Sequence, residues 1–248
     1  QLKSRFKGSN INNLRPSEIE SMAIPYPPVD EKSLIVNYLD VIENLISNKR
    51  DIIGKLELVR KGMLNNLLTF GVDENGTLRS PETHDFKSSN LGQIPINWCC
   101  FRLDEIATIQ RGKFTHRPRN DPRYYGGIYP FIQTGDITAS AGGYVQSYTQ
   151  TLNENGIRVS TEFPSNTLAI TIAANIGDTA ILAQPMYFPD SIVGINAFEN
   201  VEIEYIQMFL EYKKGLLNRL ASDSTQKNIN LETLRPFLIV LPPHDEQN

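Results

Sequence analysis

The most regular pattern of apolar residues in the chain occupies residues 33–68, a stretch without proline. Apolar residues recur there in two columns spaced by seven, which is typical of a helix that pairs with another helix in a coiled coil. Such a helix rises roughly 50 Å. The residues predicted to form the surface for helix pairing and partner docking are Ile35, Tyr38, Ile42, Leu45, Ile52, Leu56, Val59 and Met63.

Two further features of this helix bear on its partners. Lys49 and Asn66 interrupt the columns, and polar residues in a seam can fix the register of an antiparallel pair. A third apolar column makes the stripe wider than a two-helix seam needs, so we expect more than one partner. That column contains Leu39, Ile46, Ile53 and Leu67. The alternative is a long helix buried inside an ordinary domain.

The segments on either side of the helix are irregular. Residues 1–32 resemble the C-terminal tail of a preceding domain, and residues 22–24 predict an edge strand because prolines follow them closely. Asp30 is predicted to cap the helix, which we expect to end before Gly71. Residues 71–97 are polar and rich in turns, which predicts a linker.

A globular domain is predicted over residues 98–243, beginning near Trp98 with one or two helical turns around Leu103. An amphipathic helix is predicted over residues 202–221, with a short helical turn at 231–234. Candidate strands are short apolar runs between turns, at residues 128–133, 168–174, 179–182, 192–198 and 237–241. The predicted fold class is therefore α+β: a mixed, β-rich domain joined to a long helix that pairs in an antiparallel coiled coil.

The composition excludes several classes of protein. Hydrophobic residues make up 40% and charged residues 21% of the chain. No apolar run reaches the roughly 18 residues of a membrane-spanning helix, and no signal peptide is recognisable. The adjacent Cys99 and Cys100 cannot build a disulfide framework or a zinc site. We therefore expect a cytoplasmic protein without a bound metal.

The chain also lacks the sequence patterns of a catalytic centre. His84, His116 and His244 are far apart in polar or proline-rich surroundings. There is no Cys/His cluster with metal-ligand spacing and no glycine-rich phosphate loop. We expect no catalytic residue and no cofactor on this chain.

Positive charge is concentrated in one short segment. The net charge is −4, which argues against a protein that coats nucleic acid by bulk charge. Within residues 111–123, however, only Asp121 opposes a set of cations that glycine and prolines place in a loop: Arg111, Lys113, Arg117, Arg119 and Arg123. Phosphate contacts need local and not total charge, so this basic loop predicts nucleic-acid binding. The alternative is an ordinary solvated loop.

The end of the chain repeats a pattern found near its beginning. Residues 242–247 (PPHDEQ) match residues 27–32 (PPVDEK), and at the same offset residues 237–239 match residues 22–24. The repeating unit is then a globular domain ending in Pro-Pro, followed by a long helix. The chain would contain the tail of one unit, its helix and a full second domain, with residues 244–248 beginning a second spacer helix.

Taken together, these residues resemble the specificity subunit of Type I restriction–modification systems, over essentially the whole chain. The residues that carry the resemblance are Asn228-Ile229-Asn230…Leu234…Pro242-Pro243…Glu246-Gln247 and its counterpart in residues 13–32, Leu67-Leu68…Phe70-Gly71, Ile94-Pro95…Trp98, Ile109-Gln110-Arg111-Gly112, Tyr129-Pro130-Phe131-Ile132…Gly135-Asp136-Ile137, and Asn175-Ile176-Gly177.

The resemblance implies a non-catalytic, DNA-reading role. Residues 98–243 would be a target-recognition domain that reads one half of a bipartite DNA sequence, and residues 33–70 a spacer helix. The expected partners are double-stranded DNA, adenine methyltransferase (modification) subunits that bind S-adenosylmethionine, and a restriction subunit with motor and nuclease activity. A partner spacer helix would come from another chain or from the missing part of the same protein.

Candidate DNA contacts extend beyond the basic loop. Side chains of Arg, Lys, Asn and Gln read base edges or hold phosphates, which adds four positions near turns: Gln133, Thr134, Asn175 and Lys227. For Gln133, Thr134 and Asn175, turn capping is the alternative; for Lys227 it is a solvated turn. Tyr124 and Tyr125 are expected to pack in the core. The alternative function for the whole chain is a coiled-coil protein–protein adaptor without DNA binding.

Overall fold

The structure is a computed structural model that describes residues 20–222 and 228–247. The chain divides into two compact units, residues 1–57 and 58–248. The long helix α1 spans Val29–Phe70, so it begins in the first unit and ends in the second. The predicted long helix is confirmed.

Helix α1 is exposed along most of its length. Leu68 is its one buried residue, and the exposed apolar side chains include Tyr38 at 69%, Leu45 at 57% and Leu56 at 62%. The alternative of a helix buried inside a domain is therefore wrong. The helix begins at Val29, which places Asp30 and Glu31 in its first turn and not at the cap, where their charges still favour the helix dipole.

Two local differences lie at the ends of α1. Among the residues that the structure describes, 22–28 form no strand, so the edge strand predicted at residues 22–24 is not found there. At the other end, Gly71 has a φ of +64°, a left-handed conformation that stops the helix as predicted.

The remaining elements belong to the second unit and alternate short strands with short helices. In chain order they are β1 (Phe86–Ser89), β2 (Gly92–Pro95), β3 (Cys99–Arg102), α2 (Leu103–Ile106), β4 (Ala107–Arg111), β5 (Tyr125–Phe131), α3 (Thr134–Ala139), β6 (Tyr144–Val145), β7 (Gln150–Leu152), α4 (Glu154–Arg158), β8 (Glu162–Phe163), β9 (Leu168–Thr171), β10 (Thr179–Leu182), β11 (Met186–Tyr187), β12 (Ile192–Ala197), α5 (Ile203–Tyr212), α6 (Lys214–Ser222), α7 (Leu231–Leu234) and β13 (Leu238–Leu241).

A five-stranded sheet with the order β4-β12-β9-β10-β6 forms the centre of this unit. Successive side chains of a strand point to opposite faces, and here both faces are covered. On β9, Leu168 and Ile170 belong to the core beneath α5 and α6, whereas Ala169 joins a second core with Phe163 and Phe188. The prediction of a strand buried on both faces at residues 168–174 is confirmed, although the strand ends at Thr171.

A four-stranded sheet with the order β7-β5-β11-β8 lies beside a third, aromatic core. Phe114, Phe131, Leu152 and Tyr187 form its buried centre. Tyr124 and Tyr125 pack against it, which confirms the expectation that these two tyrosines serve in packing. The same core lies directly beneath the loop that carries the predicted basic residues.

The segment predicted as a linker, residues 71–97, is more ordered than expected. Strands β1 and β2 form an antiparallel hairpin, and Ile94 is buried. The hairpin was missed because its strands are short and mostly polar, without an apolar alternation. The predicted helix over residues 202–221 is likewise divided, since α5 ends at Tyr212 and α6 begins at Lys214.

The two ends of the β-rich domain are joined by hydrogen bonds. Strand β13 pairs antiparallel with β3, and a single turn of 3-10 helix follows at His244–Glu246. The Glu246 carboxylate accepts hydrogen bonds from Trp98 Nε1 at 3.0 Å and from the Val72 backbone at 3.2 Å, and it forms an ion pair with Arg79. This carboxylate therefore links the end of the domain to its beginning and to the segment after α1.

Candidate nucleic-acid interface

The basic loop leaves strand β4 through a close backbone approach at Gly112. Its N–H donates to Ile192 O at 2.9 Å, and the Lys113 N–H donates to Phe188 O at 3.0 Å. A Cβ atom on Gly112 would lie 2.3 Å from Pro189 O. Glycine is therefore required for the loop to lie against residues 188–192.

This approach brings three of the predicted arginines to Asp190. Arg111 Nε donates to the backbone oxygen of Asp190, and the guanidinium groups of Arg117 and Arg119 form ion pairs with its carboxylate. The Arg117 and Arg119 side chains remain 52% and 47% exposed. Three of the five cations predicted from the loop sequence thus converge on one acidic residue that the sequence did not single out, and they still face solvent.

Arg123 is held by the second acidic residue, Asp121. Its guanidinium lies 2.6 Å from Asp121 Oδ2, and His116 Nε2 lies 3.0 Å from the same oxygen. Hydrogen bonds from the Arg123 side chain and backbone, together with His116, hold the pKa of Asp121 far below its usual range. The carboxylate therefore stays ionised, while the Arg123 side chain is 75% exposed.

Aromatic packing anchors the loop from below. Phe114 is 3% exposed and lies among Tyr124, Tyr125 and Phe131, with ring centroids 5.3–6.1 Å apart. His116 stacks on Tyr124 with a centroid distance of 4.1 Å. These contacts fix both ends of the loop, so its arginines extend from a rigid base.

Gln133 and Thr134 follow strand β5, where the chain turns into α3. The Gln133 backbone N–H donates to Asp136 Oδ2 at 2.7 Å, which caps the helix and explains why the Gly135-Asp136-Ile137 motif lies here. The Gln133 side chain donates to Gln150 Oε1 at 3.0 Å. It is the backbone N–H of Gln133 that takes part in this cap. The side-chain amide lines the same cavity as Arg119.

Asn175 reaches this region through a second set of side chains. Its Nδ2 donates to Thr138 Oγ1 at 3.1 Å, and the single proton of that hydroxyl is shared between two nearby acceptors, Thr134 O and Asp178 Oδ2. Burial opposes ionisation of Asp178, but hydrogen bonds from Lys214 and Thr138 lower its pKa. Gln133, Thr134 and Asn175 thus belong to one continuous series of contacts along α3.

The sequence reasoning missed several polar residues near the predicted ones. Arg158 lines a cavity with Arg123, and Asn120 and Gln150 line another with Arg119 and Gln133. The signal of Gln150 and Arg158 could not be read locally, because pairing between β5 and β7 brings residues 150–158 to the loop. Asn120 lies within the loop itself, next to Arg119, and its uncharged amide gave no signal among the cations. Lys227 lies outside the described residues.

The described residues contain no group of three or more His, Cys, Asp or Glu side chains that could hold a metal ion. None of the described helices combines the length and the hydropathy that crossing a membrane requires. The polar side chains that the fold gathers at the loop include cations and amides, which bind phosphates and base edges, beside the carboxylates of Asp121 and Asp190.

Comparison with known proteins agrees with this arrangement. The family model described as "Type I restriction modification DNA specificity domain" matches residues 95–248. The specificity subunit of the Type I restriction enzyme MjaVIII from Methanocaldococcus jannaschii is 28% identical, over 99% of this chain and 57% of the relative. The EcoKI specificity subunit of Escherichia coli is 20% identical, over 100% of this chain and 53% of the relative. The chain thus spans about half the length of these relatives.

Solved structures share the fold. The HsdS subunit from Thermoanaerobacter tengcongensis superposes with a TM-score of 0.55 at 18% identity, covering 98% of this chain and 55% of that one. The specificity subunit from M. genitalium gives a TM-score of 0.55 at 16% identity, covering 97% and 57%. The predicted α+β fold with a long helix is confirmed.

The resemblance inferred from the short motifs is also confirmed, since the matched segment covers the globular domain and its C-terminal repeat motif. This family provides DNA sequence specificity and has no catalytic role of its own. The chain belongs to the Type I restriction–modification DNA specificity family.

Proposed function

We propose that residues 98–243 read one half of a bipartite DNA target and that α1 docks adenine methyltransferase subunits. The observation that carries the proposal is the convergence of Arg111, Arg117 and Arg119 on Asp190, above a buried aromatic core. A loop that is anchored below and charged above presents its cations at fixed positions, as recognition of a regular duplex requires.

Within this interface, different side chains make different contacts with DNA. The guanidinium groups of Arg117, Arg119 and Arg123 are exposed and charged, so they hold phosphates or pair with guanine edges in the major groove. The amide groups of Gln133 and Asn175 suit adenine edges. Lys113 is exposed beside the same loop and adds a phosphate contact.

The long helix provides the assembly surface. The apolar side chains of the two predicted columns are exposed along the helix, with Ile35 near one end at 43% and Met63 near the other at 58%. An exposed apolar surface of this kind is usually covered by a partner. We propose that a spacer helix, from another chain or from the missing part of the same protein, pairs antiparallel with it. Methyltransferase subunits that carry S-adenosylmethionine occupy the third column, and a restriction subunit joins that complex.

The alternative function is a coiled-coil adaptor without DNA binding. The exposed helix, taken alone, agrees with either function. The basic loop separates the two functions, because an adaptor has no use for several exposed arginines on one rigid loop. DNA affinity and its dependence on salt therefore decide between them.

The experiment measures binding of the chain to random duplex DNA over a salt series, with and without modification subunits. We expect affinity to fall steeply with salt, and the double variant R117A/R119A to reduce the slope of log K against log salt by about 2. The matched control is R50A/K61A, which removes two exposed cations of α1. If DNA affinity does not depend on salt concentration, DNA recognition through this loop is contradicted. The same holds if R117A/R119A leaves DNA affinity unchanged.

A further inference from the structure

A cavity of about 350 Å³ lies where the basic loop ends, next to helix α4. The described residues that line it are Arg123, Tyr124, Asn155, Arg158 and Val159. Two of these residues are arginines, one is an amide, and none is acidic. Both arginines are exposed, with the Arg123 side chain at 75%. The cavity therefore brings two exposed cations and an amide to one opening.

Arg158 differs from the arginines of the loop because it has no acidic partner. In the part of the chain that the structure describes, its guanidinium makes no hydrogen bond and no ion pair. The guanidinium of Arg119, by contrast, is bound to the Asp190 carboxylate. An anion that binds Arg119 competes with that carboxylate, whereas an anion that binds Arg158 displaces only water.

The contacts of Glu154 explain why Arg158 is unpaired. Residues four apart lie on the same side of a helix, and an acidic residue before a basic one is the favourable order, so Glu154 is the expected partner. Its carboxylate instead accepts a hydrogen bond from the Tyr129 hydroxyl at 2.6 Å. This hydrogen bond raises the pKa of Tyr129, so the hydroxyl keeps its proton and the contact persists. Arg158 is thus left charged and available to a ligand.

Asn153 ties α4 to the end of the basic loop. Its Oδ1 caps the helix by accepting from the Asn155 and Gly156 N–H groups, at 3.0 and 3.2 Å. Its Nδ2 donates to Arg123 O at 3.1 Å and to Tyr125 O at 3.0 Å. The backbone of Arg123 and the helix that carries the second arginine are therefore held at a fixed separation.

We propose that this cavity binds one backbone phosphate of the DNA, with Arg158 as the main contact and Arg123 and Asn155 beside it. The inference rests on the proposed DNA recognition and adds an anchor outside the basic loop. A phosphate carries the opposite charge and several acceptor oxygens, which suit guanidinium forks and an amide N–H. Because every nucleotide carries the same phosphate, the site fixes the position of the domain on the duplex and not the sequence that it reads.

The test compares wild type with R158A on two duplexes, one of A·T pairs only and one of G·C pairs only. Without one phosphate contact, the slope of log K against log salt should be shallower by about 0.9. The ratio of wild-type to R158A affinity should therefore shrink about 3.5-fold between about 50 and about 200 mM salt. The loss should be the same on both duplexes. R158K keeps the charge and should keep the wild-type slope.

The matched control is R50A, which makes the same change of charge at an exposed position of α1 and should leave the slope unchanged. Fluorescence of Trp98 checks that each variant is folded. A slope that R158A leaves unchanged overturns the phosphate site. A loss of affinity confined to one duplex also overturns it, since that result indicates a base contact.

The double variant R117A/R119A separates failure of this site from failure of DNA recognition. If R117A/R119A lowers the slope and R158A does not, DNA recognition through the loop stands and the phosphate site alone is wrong. If neither duplex binds the wild-type chain with a dependence on salt, DNA recognition is wrong and the phosphate site with it.

Discussion

The guanidinium of Arg119 forms an ion pair with the carboxylate of Asp190, a residue 71 positions later in the chain. The same carboxylate lies 3.5 Å from Arg117 Nη2. In the free protein one acidic side chain therefore orders two arginines and partly neutralises them. Under the proposed function, we expect DNA phosphates to compete with this carboxylate, so that Asp190 restricts binding to sequences and shapes that offer enough contacts in return.

Replacing Asp190 by asparagine removes that competition. We expect D190N to bind random duplex several-fold more tightly and to discriminate less between sequences, because both arginines lose their acidic partner, although Arg117 keeps its hydrogen bonds to Phe114 O and His116 O. Stability should change by less than about 1 kcal/mol, since exposed ion pairs contribute little. Titration of labelled duplexes at fixed salt, with thermal unfolding alongside, measures both effects.

The control for D190N is E199Q, which makes the same change of charge at an exposed turn. If both variants strengthen DNA binding equally, the effect is one of net charge alone and Asp190 has no special relation to the arginines.

Gly112 offers a steric test of how the loop is held. A Cβ there would lie within 2.6 Å of Phe188 O and Pro189 O, so we expect G112A to displace the loop and to cost about 1–3 kcal/mol of unfolding free energy. DNA affinity should fall with it. Helix α6 provides the control, because Gly215 has nothing within 4 Å and G215A should stabilise the protein by about 0.4–1 kcal/mol. Urea unfolding measures both, and equal stability of the two variants contradicts the close approach.

Glu246 joins the ends of the domain, and its charge can be removed with little change of shape. The side chains of Arg79 and Glu246 are only 13% and 11% exposed. We expect E246Q to lower the unfolding free energy by about 1–3 kcal/mol, because a hydrogen-bonded charge partner of Arg79 and Trp98 is lost. Trp98 is the one tryptophan of the sequence, so its fluorescence follows the change directly. D245N, exposed and adjacent, should leave both readouts as they are.

Helix α1 is tested by charges placed in its predicted seam. L45K and I52K introduce lysine at positions that are 57% and 49% exposed, so the fold of the chain should tolerate them. We expect both to abolish helix pairing or methyltransferase docking, since a charge in a seam must be desolvated on association. S47K on the opposite helix face is the control. Sedimentation and co-purification that L45K and I52K leave unaltered would show that α1 is not the assembly surface.

Where a local pattern determines the structure, the sequence predicted it well. The runs at residues 179–182 and 231–234 give β10 and α7 with the predicted bounds, because apolar spacing and flanking turns act over a few residues. The long helix ends at Phe70, before Gly71 as predicted, and begins at Val29, four residues earlier than predicted. The arginine-rich segment contains Gly112 and two prolines and is largely irregular, although Arg111 ends β4 and Arg123 lies in a 3-10 turn at Pro122–Tyr124.

What could not be predicted depends on contacts between distant segments. The convergence of arginines on Asp190 requires β4 to pair with β12, and the cavity beside Arg119 requires β5 to pair with β7. The hairpin of β1 and β2 lacks an apolar alternation and is held by backbone hydrogen bonds. In each case the structure depends on pairing between strands. No window of neighbouring residues contains enough information to predict it.

Strands β3 and β13 place Cys99 opposite Leu241, so the chain enters and leaves the β-rich domain at adjacent points. A segment bounded in this way can be exchanged as a cassette where the replacement preserves the two paired strands and the residues that contact the end of α1, among them Glu211 and Tyr212. Under the proposed function, we expect recombination between related genes at these two positions to change the interface in a single event while keeping the assembly surface. The pairing of β3 with β13 would then allow new specificities without the gradual rebuilding of a domain.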